Sequence, residues 1–290
     1  MLDVECQMSK INRIGILREL LSLKKNQMKK CLNNKETVDK IVELISNSDR
    51  ILFITGAGIS ADSGLPTYRG VGGLYDNDLT DEGLAIEEAL SGTMMLKRPE
   101  ITWKYLWQIG SACHKAQPNK AHEAIALIQT IKPDTWVLTQ NIDGLHSAAN
   151  TKNLIEIHGN AFSLHCIECG KGKDYNDLVL EFQDKISFPP TCSFCGGIIR
   201  PNVVLFGELL PAKAIKKFYE LIDSNIDLII SIGTSGIFPY VVEPVRVANN
   251  RCKPTVEINP ITTDISYLFK YRIEMKAAEA MGKIWKMLGS

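Results

Sequence analysis

The sequence has no excess of either charge: 33 Lys and Arg stand against 33 Asp and Glu in 290 residues, a formal net charge of zero. A dedicated nucleic-acid binder carries a basic surplus, and a disordered chain pairs low hydrophobicity with high net charge. With 45% hydrophobic residues this chain has neither signature. Long apolar runs are also missing, and none approaches the ~20 residues of a membrane span. The opening decapeptide MLDVECQMSK has acids and no apolar core, so no secretory signal is expected. Internal repeats and low-complexity tracts are absent. Together these absences predict a globular protein of the cell interior, cytoplasmic, with no transmembrane segment and no constitutive nucleic-acid partner. The length suits one large domain, or one domain with an inserted module, and such a chain needs no disulfides to fold.

Eight cysteines are present, and their spacing argues for metal. Cys166 and Cys169 form one CxxC, and Cys192 and Cys195 form a second after 22 intervening residues. Two such knuckles complete a tetrahedral four-thiolate zinc site. Four protein ligands leave no position for water, so this single Zn2+ is expected to be structural. Gly170, Gly196 and Gly197 follow the knuckles, where tight turns are needed. Redox use is disfavoured in an interior compartment. Cys6, Cys31, Cys113 and Cys252 are scattered and read as small reduced hydrophobes.

Residues 9–30 carry seven Lys and Arg against one acid, Glu19, with Ile11, Ile14, Leu17 and Leu21 at helical spacing. This predicts a basic amphipathic helix, docked on its own domain or serving as a docking or targeting element. A second helix is predicted around Val38, Ile41, Val42, Leu44 and Ile45. The continuous apolar runs Ile51–Thr55, Trp136–Thr139, Leu228–Ile232 and Thr255–Ile258 read as buried parallel strands. Helical stretches such as 120–131 and 211–222 lie between them. Alternation of this kind predicts an α/β fold: a parallel, doubly wound sheet interrupted by the cysteine module and by a mostly helical stretch, 72–116.

Polar clusters sit at the predicted strand ends, where open α/β sheets bind ligands. Gly56-Ala57-Gly58-Ile59-Ser60 follows the first strand. Glycines there allow close approach of a pyrophosphate, and the N-terminus of a following helix would face its charge. The dehydrogenase GxGxxG is absent. Gln140-Asn141-Ile142-Asp143 follows the second strand. Its amide and carboxylate suit a carboxamide such as nicotinamide, or merely cap a turn. His158, beside Gly159, has the pKa range of a general base, although a lone His is more often structural. Arg200 to Glu208, Gly233-Thr234-Ser235 and Glu257 to Pro260 complete the set.

In this order, GAGISADSGLPTYRG, TQNIDGLH, the His158–Gly159 pair, the four-cysteine module, RPNVVLFGE, GTS and INP resemble the sirtuin family, the NAD-dependent protein lysine deacylases. The resemblance runs over roughly residues 37–288. It implies a Rossmann-like large domain with an inserted small domain made of a four-cysteine zinc module and a helical module. The corresponding boundaries are a 1–36 extension and a 37–290 catalytic domain, with insertions at 72–116 and 160–202. NAD and an acyl-lysine protein or peptide would enter the cleft between the two halves. By the resemblance, Gly56, Ala57, Gly58 and Ser60 would cradle the phosphates, and Thr67, Tyr68 and Arg69 would belong to the cofactor loop. Gln140, Asn141, Ile142 and Asp143 would surround ribose and nicotinamide, with Asn141 also catalytic. Gly233, Thr234, Ser235 and Asn259 would hold the adenosine half, and backbone near Lys276 and Ala277 would border the adenine. Val204, Phe206 and Gly207 would lie along the peptide, which pairs as an added strand. His158 matches the family's base, taking a proton from a ribose hydroxyl after nicotinamide has left. The products would be free lysine, nicotinamide and O-acyl-ADP-ribose.

One departure concerns the acyl group. Pro66-Thr67-Tyr68-Arg69 resembles the branch that includes desuccinylases, which read an acyl carboxylate with Tyr-x-x-Arg. The nearest counterpart here is Tyr105-Leu106-Trp107-Gln108, and Gln108 offers one neutral amide where Arg offers a charged fork. Deacetylation is therefore expected. The alternatives are a desuccinylase or long-chain deacylase, a protein ADP-ribosyltransferase, and a non-catalytic binder.

Overall fold

A computed structural model describes residues 34–66, 79–181 and 187–289. The basic helix expected over 9–30, the loop residues Thr67, Tyr68 and Arg69, and Cys6 and Cys31 lie outside the described residues. The first described helix, α1, spans Asn34–Ser46 and buries Val38, Ile41 and Ile45. Strand β1, Ile51–Thr55, is buried at every position. Its Ile51 and Phe53 join one apolar cluster with α1, while Leu52 and Ile54 join another on the opposite face. A strand covered on both faces needs no polar alternation, which is why its sequence is continuously apolar.

Next come α2 (Ile86–Ala89), α3 (Gly92–Lys97) and α4 (Pro99–Lys115), then α5 (Lys120–Ile131) and β2 (Thr135–Thr139). The order continues with α6 (Leu145–Ala148), β3 (Leu154–Glu156), β4 (Gly159–Cys166), β5 (Gly172–Asp174) and α7 (Tyr175–Glu181). After β6 (Ile199–Val203) come α8 (Ala212–Asp223), β7 (Leu228–Ile232), α9 (Pro239–Asn250) and β8 (Thr255–Ile258). The chain ends with β9 (Tyr271–Ile273) and α10 (Ala277–Leu288).

Six strands form a parallel sheet in the order β3-β2-β1-β7-β8-β9. Helices α1, α5 and α10 cover one face, and α8 and α9 cover the other. The order reverses between β1 and β7, so the loops after β1, β2, β7 and β8 converge on one edge of the sheet. A separate antiparallel sheet, β5-β4-β6, packs with α2, α3, α4 and α7 around Trp103, Leu106, Leu164 and Leu178. Trp103 is buried because its indole N–H finds a partner, donating to the Ile199 carbonyl at 2.7 Å.

The expected strands and the 120–131 helix form as read. β3, β9 and the small antiparallel sheet add to them. One expectation is corrected: among the described residues no α-helix starts directly after β1. The chain makes two single 3-10 turns instead, Ala57–Ile59 and Ala61–Ser63. The segment GISADSG has no apolar stripe long enough to hold a helix on the sheet. A second correction concerns Cys252, which is exposed at positive φ rather than filling the core.

Candidate active site

The turn after β1 is shaped by its neighbour. The Gly58 N–H donates to the Gly233 carbonyl at 2.9 Å. A Cβ on Gly58 would lie 2.6 Å from the Gly233 Cα, so the two strand-end loops touch through backbone alone. Glycine is required there for loop-to-loop packing, in addition to any approach by a phosphate. Asn119, which caps α5 by accepting the Ala121 N–H, also donates to the Ile59 carbonyl at 2.8 Å and the Ser63 hydroxyl at 3.0 Å. The start of a long buried helix thereby holds the turn in place.

Ser60, Asn141 and Asp143 form one buried unit. The Ser60 hydroxyl donates to Asp143 Oδ2 at 2.6 Å, and Asn141 Nδ2 donates to Ser60 Oγ at 3.1 Å and to the Gly56 carbonyl at 3.2 Å. Burial pushes the Asp143 carboxyl up, opposed by the bonds from Ser60 and the Leu145 N–H. Gln140 Nε2 donates to Thr234 Oγ1 at 2.9 Å, and Asn259 Nδ2 to the Thr234 carbonyl at 3.1 Å. Four strand ends are thus joined at the crevice. Ser235 stands exposed at its mouth, and Ala277 is buried at the start of α10. Asp62 accepts the adjacent Ala278 N–H at 3.2 Å. This donor-rich, glycine-walled edge fits a dinucleotide.

His158 lies on the tight link between β3 and β4. Its Nδ1 is 2.8 Å from the Gln140 carbonyl, which can only accept, so Nδ1 carries the proton and Nε2 holds the lone pair. Burial lowers the His158 pKa and the Gln140 carbonyl opposes that shift. Gly159 follows at φ 80°, where a Cβ would lie 1.8 Å from the Asn202 carbonyl oxygen. Any side chain there would push the histidine link off β6.

A cavity of about 330 Å³ runs from Ala57, Ser60, Asn141 and Asp143 to Tyr105, Gln108, Ile109 and Leu79. Beside the part lined by Leu79, Asp81 and Tyr105, the Tyr105 hydroxyl donates to Glu82 Oε2 at 2.5 Å. Lys104 bridges Asp81 and Glu82 at 2.7 and 2.8 Å. Bonds from Lys104 and Tyr105 hold the Glu82 carboxyl well below the usual range.

Val204, Phe206 and Gly207 follow β6. The Phe206 N–H donates to the Leu90 carbonyl at 3.0 Å, and its own carbonyl accepts the Gly92 N–H at 3.0 Å. Both backbone groups of Phe206 are therefore taken by the helical stretch. The Phe206 side chain remains exposed. The segment is fixed by Arg200, whose guanidinium grips Glu208 at 2.7 and 3.0 Å. Glu208 in turn accepts the Leu205 N–H at 2.9 Å.

The four cysteine sulfurs lie within 4.8 Å of one another. The pairs Cys166–Cys195 and Cys169–Cys192 are 3.4 and 3.9 Å apart, against about 3.8 Å for thiolates on one tetrahedral zinc. Backbone N–H groups of the knuckles aim at Cys166 and Cys192 and lower both thiols. The residues fit a structural zinc, held by Cys166, Cys169, Cys192 and Cys195.

Sequence reasoning missed Tyr240, whose hydroxyl is 2.5 Å from His158 Nε2. The only signal for it was an aromatic pair, Phe238 and Tyr240, closely following the GTS turn.

A family model described as Sir2 family matches residues 56–239. The NAD-dependent protein deacylase 2 of Pseudomonas syringae pv. tomato is 48% identical over 242 residues, covering 83% of this chain and 96% of that protein. The Pseudomonas aeruginosa protein of the same name is 44% identical over 255 residues, covering 87% and 98%. Among solved structures, a Sir2 chain described with a p53 peptide and NAD+ superposes with TM-score 0.75 at 27% identity, covering 87% of this chain and 98% of that one.

Proposed function

The chain belongs to the Sir2 family and is an NAD-dependent protein lysine deacylase, and we propose that acetyl is the group it removes and that His158 is its general base. The reaction releases nicotinamide and O-acyl-ADP-ribose. The observation that carries the acetyl reading is the part of the cavity lined by Leu79, Asp81 and Tyr105. There the lining holds the Asp81 carboxylate, Gln108 supplies no charge, and the Tyr105 hydroxyl is spent on Glu82 just behind it. Among the described lining residues a succinyl carboxylate would meet the Asp81 carboxylate and no guanidinium.

When bound, NAD supplies a glycosidic bond to nicotinamide whose breakage provides the driving chemistry. The chain's own groups orient and protect. Ser60, Asn141 and Asp143 present a rigid polar wall to the nicotinamide end. Gln140, Gly233, Thr234, Ser235 and Asn259 would hold the ribose and adenosine, and Gly56, Ala57 and Gly58 would leave room for the phosphates. Ile142 lines the cavity, and Ala277 would border the adenine. His158, with Nδ1–H held by Gln140, offers Nε2 to a ribose hydroxyl and accepts its proton. Val204 and Gly207 line the peptide path together with the exposed Phe206 ring. Thr67, Tyr68 and Arg69 are assigned to the cofactor by sequence motif alone.

The proposal includes the division into a 37–290 catalytic domain with insertions at 72–116 and 160–202, supported by the separate antiparallel sheet. Among the described residues no helix is long and apolar enough to cross a membrane. A cytoplasmic setting is in keeping with four reduced thiols arranged for zinc. The test is a panel of acetyl-, succinyl- and long-chain-acyl-lysine peptides. Acetyl is expected to give the highest kcat/KM, and Gln108→Arg to raise the succinyl rate roughly 10-fold, the worth of a charged hydrogen bond. Succinyl outrunning acetyl in the unaltered chain overturns the acetyl reading.

A further inference from the structure

The base is not free to act as it stands. The Nδ1 of His158 is committed to the Gln140 carbonyl, so Nε2 is the ring's single acceptor. That acceptor already receives the Tyr240 hydroxyl, 2.5 Å away. Tyr240 sits in the first turn of α9, directly after Pro239. Its ring stacks on Phe238 at 5.3 Å and 9°, and both rings meet the imidazole edge-on at 5.6–5.7 Å. The two aromatics and the imidazole form a box closed against the lone pair that the reaction needs.

We propose that Tyr240 is a positioning residue that masks the base, its hydroxyl holding His158 Nε2 in the free protein and yielding it when the ribose hydroxyl of the cosubstrate arrives. This rests on the reading of His158 as base. While the mask is on, Nε2 is hydrogen-bonded and the imidazole plane is fixed from both nitrogens. The exchange is one hydrogen bond for another, so its net cost is small. Phe238 is exposed and Tyr240 only partly buried, so the tyrosine ring has a side open to solvent toward which it can turn. Burial raises the Tyr240 phenol pKa and keeps it a neutral donor throughout. No covalent step is involved, and the base receives its proton from the substrate hydroxyl alone.

The test uses Tyr240→Phe in the zinc-loaded full chain, with two readouts. First, the His158 Nε2 resonance of the free protein, followed by long-range 1H–15N spectra at one fixed pH, is expected to move to the position of an unbonded nitrogen. Second, kcat/KM for NAD is expected to rise about fivefold through a lower KM, matching the loss of one ordinary hydrogen bond. Phe238→Leu keeps the hydroxyl but removes its stacking partner, and is expected to give a smaller rise in the same direction. An Nε2 resonance that stays in place in Tyr240→Phe overturns the contact. A tenfold fall in kcat accompanying the nitrogen shift makes Tyr240 a proton relay and overturns the mask. Full turnover by His158→Gln removes the base reading itself, while the nitrogen measurement still decides whether Tyr240 binds the ring.

Discussion

The carboxyl edge of the parallel sheet and the cysteine module hold their residues by different means. At the sheet edge, Ser60, Asn141 and Asp143 bond to one another and to the Gly56 backbone, above strands buried on both faces. Each fully buried aliphatic side chain below contributes roughly 1.5–3 kcal/mol. In the module, β5 is three largely exposed residues, and Cys169 and Cys195 lie open to solvent. The module's apolar side chains pack with the helices around Trp103 and Leu164, but its knuckle turns are largely exposed, so there a metal supplies what a core supplies elsewhere. The catalytic cleft lies where the two strategies meet: His158 joins a sheet strand, β3, to a module strand, β4.

Removing the metal is the strongest way to break this comparison. Zinc bound to four thiolates stabilises small folds by about 10–16 kcal/mol, so its loss should open the module and leave the sheet. Chelation, or Cys192→Ser, is expected to abolish turnover and to strip hydrogen-exchange protection from β4 and β6, while β1, β2, β7 and β8 keep theirs. Simultaneous loss of protection in both sheets would show a single cooperative core and end the distinction.

A smaller effect probes the sheet side. His122 and His146 are buried with rings 4.9 Å apart, and burial lowers the pKa of both, His122 to about 4. Among the described residues, His122 Nε2 and His146 Nδ1 have no partner. The unfolded chain takes up protons below about 6.5 while the folded chain refuses them. Their stabilising contribution is therefore complete above pH 6.5 and is lost as pH falls toward 4, at about 1.4 kcal/mol per proton per pH unit. Melting temperature is expected to drop by several degrees between pH 7 and pH 5.5, with a shallower slope in His122→Gln. Equal slopes would place the acid sensitivity elsewhere, for example in the cysteine thiolates.

Legibility in the sequence followed the same division. The strands β1, β2, β7 and β8 were readable because burial on both faces leaves an uninterrupted apolar run, and the residues at their ends were readable because each cluster is local in sequence. β3 and β9 are three residues each, too short to carry a period. β4 reads GNAFSLHC, whose polar positions and irregular pairing with β6 hide it. The 3-10 turns after Gly56 were missed because a strand followed by glycines usually introduces a helix. The backbone of Phe206 pairs with Leu90 and Gly92, 114 or more residues away in the chain, and no local motif announces that pairing. Tyr240 could not be found locally, since its meaning depends on the 82-residue reach from α9 to His158.

The central claim is that this cleft removes acyl groups from lysine at the expense of NAD, with His158 as base. The most direct measurement is mass analysis of the products from an acetyl-lysine peptide and NAD, with the unaltered chain and with His158→Gln. The unaltered chain is expected to yield deacetylated peptide, nicotinamide and O-acetyl-ADP-ribose in equal amounts. His158→Gln is expected to keep its melting temperature and zinc while losing turnover by 10²-fold or more, the usual worth of a positioned base. Undiminished O-acetyl-ADP-ribose from His158→Gln, or ADP-ribosylated peptide from the unaltered chain, would contradict it.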